Sequence, residues 1–309
     1  MAGSHGPEKK SGMTTGYDTN LNPPFTLIEP SQQRVPFVFN SPHSGRNYRP
    51  HFLDQIRLDR AAIRKSEDFR VDELFAGAVI QGCPLLTANF PRAFLDVNRE
   101  PYELDPAMFD GALPGFCNTR SVRVAGGLGT IARIVSETEE IYARRLGIDE
   151  GLERIETIYK PYHAALRSLV SRTHSRFGHA VLIDCHSMPS TRDGAARRMR
   201  PDFVLGDRYG TACAAQITWA AAQFLSELGY EVEINKPYAG GFITEHYGRP
   251  HSGYHALQIE VNRGLYMDEA ALAKGPAFEK VAHDITRFIG RLVAIPEAGL
   301  GGASSLAAE

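Results

Sequence analysis

The chain has 309 residues, with 34 lysines and arginines against 36 aspartates and glutamates, and is 43% hydrophobic and 23% charged. These are the proportions of an ordinary globular protein; they exclude a collagenous or coiled-coil chain, and a net charge of −2 argues against a dedicated nucleic-acid binder. No run approaches the roughly 18 apolar residues that suggest a membrane span, and the polar stretch Met1 to Asn22 lacks the apolar core of a secretory signal.

Residues 1–24, rich in Gly, Ser, Lys, Asn and Pro, read as a flexible arm. Val35–Asn40 is a short apolar strand that ends in the turn-rich Ser41-Pro42-His43-Ser44-Gly45. Ala61–Gln81 has apolar residues spaced by three and four, which predicts a helix. Pro84–Ala88 reads as a second strand and Phe94–Val97 as a third. Thr138–Thr173 reads as a long helical region, interrupted near Gly147–Gly151 and near Pro161. Ala180–Cys185 (AVLIDC) is a buried strand that ends at His186, and Asp202–Gly206 is another short one. Gly210–Leu228 is a helix stopped by Gly229. Glu231–Asn235 and Ala256–Val261 read as strands, and Lys274–Ile289 as a closing helix. Residues 296–309 form a Gly/Ala/Ser-rich flexible tail.

No linker or internal repeat divides residues 25–295, so a single domain is expected there. The alternation predicts an α/β fold with a central mixed or mainly parallel sheet flanked by helices. Cys83, Cys117, Cys185 and Cys213 lack any CxxC spacing and read as reduced thiols of a cytoplasmic protein.

Sites in open α/β sheets gather beyond the carboxyl ends of strands. That places His43, Asn98, Arg99, His186 and Glu260 at one edge. His43, between a proline and a glycine, is either a turn histidine bonded to its own backbone or a ring aimed outward. His186 is either a core histidine or a metal ligand on a rigid strand end. Glu67, Asp68 and Asp72 fit a helix start, but one of them could complete a His/His/acid zinc site whose fourth position is left to water. Spacing does not choose between Glu67 and Asp68. Glu260, among apolar residues, needs a partner: an ion pair with Arg263, or a metal-bound water whose proton it takes. Arg92, Asn98 and Arg99 suit capture of a carboxylate, or salt bridging to Asp96, Glu100 or Glu103. Pro237–Pro250 (PYAGGFITEHYGRP) reads as a β-hairpin or substrate loop, with His246, His251 and His255 as pocket lining. Arg192, Arg197, Arg198 and Arg200 read as a solvated loop or, less simply, a lid over an anion. No GxSxG, P-loop, HExxH or GxGxxG setting is present.

Taken in order, SPHSGR, EDFRVD, FLDVNREPYELDP, DCHSMPS, PDFVLGDRYGT, NKPYAGGFITEHYGRP and HALQIEVNRGLYMDE resemble the N-formylglutamate amidohydrolase (deformylase) family across residues 35–290. The resemblance implies a fold related to the zinc carboxypeptidases, of the phosphorylase/hydrolase-like kind. It implies one zinc per chain and hydrolysis of N-formyl-L-glutamate, a small anionic N-acyl amino acid, in histidine degradation. It also implies His43 and His186 as zinc ligands. Arg46 stands where the carboxypeptidase pattern has an acid, so the third ligand is assigned to Asp68. Glu260 takes the place of the base and Arg92 that of the oxyanion stabiliser. Asn98 and Arg99, with His246 and Arg263 beside them, take the substrate contacts. A related N-acyl amino-acid amidohydrolase or carboxypeptidase-like enzyme, and a non-catalytic metabolite-binding protein, are the rival readings. No nucleic-acid or membrane partner is expected.

Overall fold

Seven strands build one mixed sheet: β1 (Phe25–Ile28), β2 (Phe37–Ser41), β3 (Leu85–Ala88), β4 (Ala180–Met188), β5 (Phe203–Gly206), β6 (Val232–Ile234) and β7 (Tyr254–Asn262). Their spatial order is β1-β3-β2-β4-β7-β5-β6. The inner strands β3, β2, β4 and β7 run parallel, β1 is antiparallel to β3, and β5 is antiparallel to β7. The computed structural model describes residues 23–135, 139–190 and 200–296. The proposed arm and tail, apart from Pro23, Pro24 and Pro296, lie outside them, as do Arg192, Arg197 and Arg198.

Side-chain alternation sorts each strand between two cores. In β4, Val181, Ile183 and Cys185 join Phe39, Leu257 and Ile259 on one face. There they meet helices α2 (Ala215–Glu227) and α4 (Phe278–Leu292) through Ile217, Leu225, Val281, Ile285 and Phe288. Ala180 and Leu182 point to the other face, with Val38, Leu86 and Ala256, against Tyr162, Leu166 and Leu169 of α1 (Lys160–Phe177). The result is three layers with the sheet in the middle. Among the described residues, no helix is long and apolar enough to cross a membrane.

The α1 face changes character partway along the strands. Val38 gives way to Asn40, Leu182 to Asp184 and His186, and Ala256 to Gln258 and Glu260. Register aligns Asn40 with Asp184, Asp184 with Gln258, and His186 with Glu260. The same face is therefore apolar core at one end and a buried polar ladder at the carboxyl end.

Several elements depart from the sequence reading. The expected helix over Ala61–Gln81 is three short ones, Arg60–Arg64, Val71–Leu74 and Gly77–Ile80. Between the first two the chain turns inward, where the Asp68 N–H donates to the His43 carbonyl at 3.1 Å. Arg70 takes a left-handed φ of 54° to restart the helix. Phe94–Val97 is a buried loop rather than a strand. Helix does not begin at Thr138, itself outside the described residues, but at Ile148. It runs through a π turn, Ile155–Tyr159, into α1. Pro161 does not interrupt it: proline has no N–H to place, and the widened turn just before it takes up the change of register. The stretch expected as a hairpin or loop at Pro237–Pro250 contains a short helix, α3 (Phe242–Tyr247). β1 escapes the sequence reading because it is a half-exposed edge strand of only four residues.

Candidate metal centre and substrate cleft

At the carboxyl end of the sheet, His43, Asp68 and His186 offer ligand atoms that all lie within 4.8 Å of one another, and all three residues are buried. His43 comes from the turn after β2, Asp68 from the break between two short helices, and His186 from within β4. Each ring is held from outside by a carboxylate. His43 Nε2 lies 2.7 Å from Asp96 Oδ1, and His186 Nε2 lies 2.9 Å from Asp184 Oδ2. Such contacts fix a metal-binding imidazole in one tautomer, with the proton outside and the lone pair inside. Here the inward atoms are the two Nδ1, at 3.4 Å (His43) and 2.8 Å (His186) from Asp68 Oδ2.

Two ring lone pairs and a carboxylate oxygen thus face one point. His43 Nδ1 is buried with no hydrogen-bond partner among the described residues. Acceptor atoms that converge in this way call for a cation, a place that a proton on His186 takes in the protein without metal. Two imidazoles and one carboxylate form a donor set that could hold a metal ion, and it is of a kind that zinc accepts. The protonation equilibria show the same attraction. Burial disfavours charge on His186, but Asp184 and Asp68 hold its pKa well above the usual value. Burial pushes Asp68 up, but the two histidines pull it well below the usual carboxylate range. Of the two acids left open by spacing, Asp68 is the one that faces the rings. Glu67 turns away, taking Arg64 Nε at 2.9 Å and Nη2 at 3.2 Å. Arg46 is turned out to Asp72 and Glu73.

Behind His186 a relay of hydrogen bonds crosses the sheet to α1. Tyr162 Oη donates to Asn40 Oδ1 at 2.5 Å, and Asn40 Nδ2 donates to Asp184 Oδ1 at 2.8 Å. The other oxygen of Asp184 orients the ring.

Glu260 sits beside His186 on the neighbouring parallel strand, about 4.8 Å away in the spacing of a sheet. Its carboxylate accepts Gln258 Nε2 at 2.9 Å, and no ion pair to Arg263 forms. Burial lifts its pKa to about 7; His186 opposes the shift and Asp68 adds to it. A carboxyl group that titrates near neutrality can both take and return a proton.

The loop 91–99 supplies the cations. Arg92 Nη2 donates to Asp96 Oδ2 at 2.8 Å. Arg99 donates from Nε to Leu128 O (2.8 Å) and from Nη1 to Asn98 O (2.7 Å). Burial pushes Asp96 up, but Arg99, His43 and Arg92 hold it well below the usual range. Asn98 is pinned from α3, whose Ile243 N–H donates to its Oδ1 at 2.7 Å. Its amide nitrogen stands 3.2 Å from His186 Nε2. Gly241 permits this seating, since a Cβ there would lie 2.5 Å from Asn98 Nδ2.

The cleft measures about 450 Å³ and is lined by His43, Asp68, Arg92, Asn98, Arg99, His186, Glu260 and Arg263, among others. Two of the expected substrate contacts stand apart from the others. His246 is not among the lining residues; its ring stacks on Phe242 with centroids 5.1 Å apart. Arg263 reaches the cleft, but its donors are engaged within the protein: Ser187 Oγ at 3.1 Å, Lys65 O at 3.2 Å, Glu67 O at 2.5 Å and Asp68 Oδ1 at 3.2 Å. It braces Asp68 rather than offering a free fork. His251 and His255 also lie outside the lining.

The sequence reading missed Asp184, Asp96 and Arg123 as parts of the site. Asp184 carried a signal, an acid inside an apolar strand two residues before His186 and so on the same face. Asp96 was weighed only as a salt-bridge partner. Arg123 lies on the short helix Val122–Ala125, which the sequence reading passed over.

A family model described as N-formylglutamate amidohydrolase matches residues 35–267. N-formylglutamate deformylases of Pseudomonas putida and Pseudomonas aeruginosa are 28% identical over 242 and 246 residues, each alignment covering 77% of this chain and 84% of the relative. The crystal structure of N-formylglutamate amidohydrolase from Ralstonia eutropha JMP134 matches with a TM-score of 0.82 and 35% identity, covering 87% of this chain and 97% of that one. A protein from Agrobacterium tumefaciens shares the fold, with a TM-score of 0.62 at 14% identity over 87% of this chain and 94% of its own.

Proposed function

The chain belongs to the N-formylglutamate amidohydrolase family, and from that premise we propose that it hydrolyses N-formyl-L-glutamate to L-glutamate and formate, a step of histidine degradation. The observation that carries the proposal is the convergence of His43 Nδ1, His186 Nδ1 and Asp68 Oδ2 beside Glu260 in one cleft. The lining adds five cationic side chains, Lys65, Arg92, Arg99, Arg123 and Arg263, against the carboxylates of Asp68, Asp96 and Glu260. That balance favours an anionic substrate although the whole chain is slightly acidic.

His43, Asp68 and His186 would hold one zinc ion, which when bound would supply a Lewis acid for the formyl carbonyl and lower the pKa of water towards about 7. Glu260 takes a proton from the water whose oxygen adds to the formyl carbon. It then returns the proton to the nitrogen as the C–N bond breaks, giving formic acid and the amine, and the acid's proton passes to the amine to leave formate and the ammonium form. Arg92, which lines the cleft and is held by Asp96, is assigned to stabilising the developing oxyanion. Asn98 and Arg99 hold the substrate. The four cysteines are free, which suits a reducing cytoplasm.

The test is formate release from N-formyl-L-glutamate, run beside N-acetyl-L-glutamate, with zinc measured on the same sample. Zinc-dependent release of formate in preference to acetate is expected. Full activity after verified removal of metal, or preference for the acetyl compound, overturns the proposal.

A further inference from the structure

The cations that line the cleft differ in what they already hold. Lys65 Nζ reaches Glu139 at 3.1 Å, Arg92 is bound to Asp96, and Arg263 spends its donors on four protein oxygens. Arg123, on the short helix Val122–Ala125, differs. Its side chain is 35% exposed, and its guanidinium comes no nearer than 3.7 Å to Glu103 and makes no hydrogen bond among the described residues. It is a loosely held cation in a site otherwise tied down.

Arg123 does not stand alone. The Leu128 N–H donates to Arg123 O at 2.8 Å, while Leu128 O accepts Arg99 Nε at 2.8 Å. One residue thus sets the spacing of both arginines. Arg99 uses Nε and one Nη1 hydrogen; its Nη2 stands 3.6 Å from Asp96, beyond hydrogen-bond reach. The turn that joins them needs its glycines. Gly127 has φ +73°, and a Cβ on Gly129 would lie 2.2 Å from Glu103 O. Burial lowers the pKa of Arg99; Asp96 opposes this, and the charges of Arg92 and Arg123 add to it. Two cations that repel across a cleft gain from an anion seated between them, and a carboxylate matches the arginine fork.

We propose that Arg123 and Arg99, joined through Leu128, form the subsite that takes the side-chain carboxylate of an acidic N-acyl amino acid. This rests on the amidohydrolase reading above and adds what selects the substrate side chain. Leu128 is itself among the residues that line the cleft.

The experiment compares kcat/KM for N-formyl-L-glutamate and N-formyl-L-glutamine in zinc-loaded wild type, Arg123→Gln and Arg123→Lys. The glutamine compound keeps the α-carboxylate and lacks only the side-chain charge. In Arg123→Gln the preference for glutamate over glutamine falls roughly 10- to 100-fold, the range for loss of a charged hydrogen bond. The loss lies in KM, zinc content is unchanged, and Arg123→Lys restores part of the preference. Equal losses on both substrates would place Arg123 on the α-carboxylate, and no loss would remove it from the site; either result overturns the subsite. Wild type that turns over neither compound overturns the amidohydrolase reading itself, a result distinct from these two.

Discussion

Replacing Glu260 with glutamine in protein stripped of metal tests the burial of this group directly. The substitution keeps the shape and an acceptor for Gln258, but removes the ionisable carboxyl. An ordinary glutamate titrates at 4.5 and Glu260 at about 7. At about 1.4 kcal/mol per pH unit, that interval is worth about 3 kcal/mol. Below pH 4.5 the folded and unfolded chains both carry the proton, and Glu260 costs nothing. As pH rises the unfolded chain loses its proton first, so stability drains away until about pH 7, where the cost is complete. Urea unfolding of both proteins from pH 4.5 to 8 therefore shows the wild type losing about 3 kcal/mol relative to Glu260→Gln. The difference between the curves cancels the titrating groups that do not interact with Glu260, leaving Glu260 with its neighbours His186 and Asp68. Parallel curves would refute the reasoning, because they would mean that Glu260 is solvated or paired. In zinc-loaded protein the same substitution lowers kcat by roughly 10²- to 10⁴-fold with zinc content unchanged.

Three further outcomes follow from contacts described above. Tyr162→Phe removes the far end of the relay to His186 and weakens zinc binding roughly tenfold in a chelator competition; unchanged affinity would show that the relay does not orient the ring. Arg154→Leu leaves Glu150 buried without the cation that reaches it at 2.5 Å, and costs about 3–5 kcal/mol in urea unfolding; a loss below about 1 kcal/mol would contradict that account. Gly241→Ala pushes Asn98 from its seat and lowers kcat/KM roughly tenfold or more while the protein still binds zinc; wild-type kinetics would refute the close approach.

The parts of the fold legible in the sequence were those whose pattern is local. Val35–Asn40, Ala180–Cys185 and Ala256–Val261 announced themselves as apolar runs, and the histidines and the glutamate at their ends were read as chemistry. Phe94–Val97 misled for a physical reason. Leu95 and Val97 are fully buried, as strand residues would be. But the loop's carbonyls are satisfied by side chains from distant segments: Phe94 by Arg154, Val97 by His163, Arg99 by Tyr159. No local window contains those partners. Asp96 and Arg123 were obscure for the same reason, since each gains its role from residues tens of positions away. His246 shows the opposite case: read as pocket lining from its place in the sequence, it lies outside the cleft's lining, on the short helix that seats Asn98.

The change of character along the α1 face has a consequence for how this protein can be improved. Asn40, Asp184 and Gln258 sit in the middle of a sheet, where apolar residues of similar size would pack without needing partners. Replacing buried polar groups in that way is often neutral or stabilising. A selection for melting temperature alone would rewrite these three positions early, and its winners would be well-folded proteins with a disoriented His186. Heat resistance and the orientation of His186 pull this sheet in opposite directions, so any thermostable descendant must find its gains elsewhere.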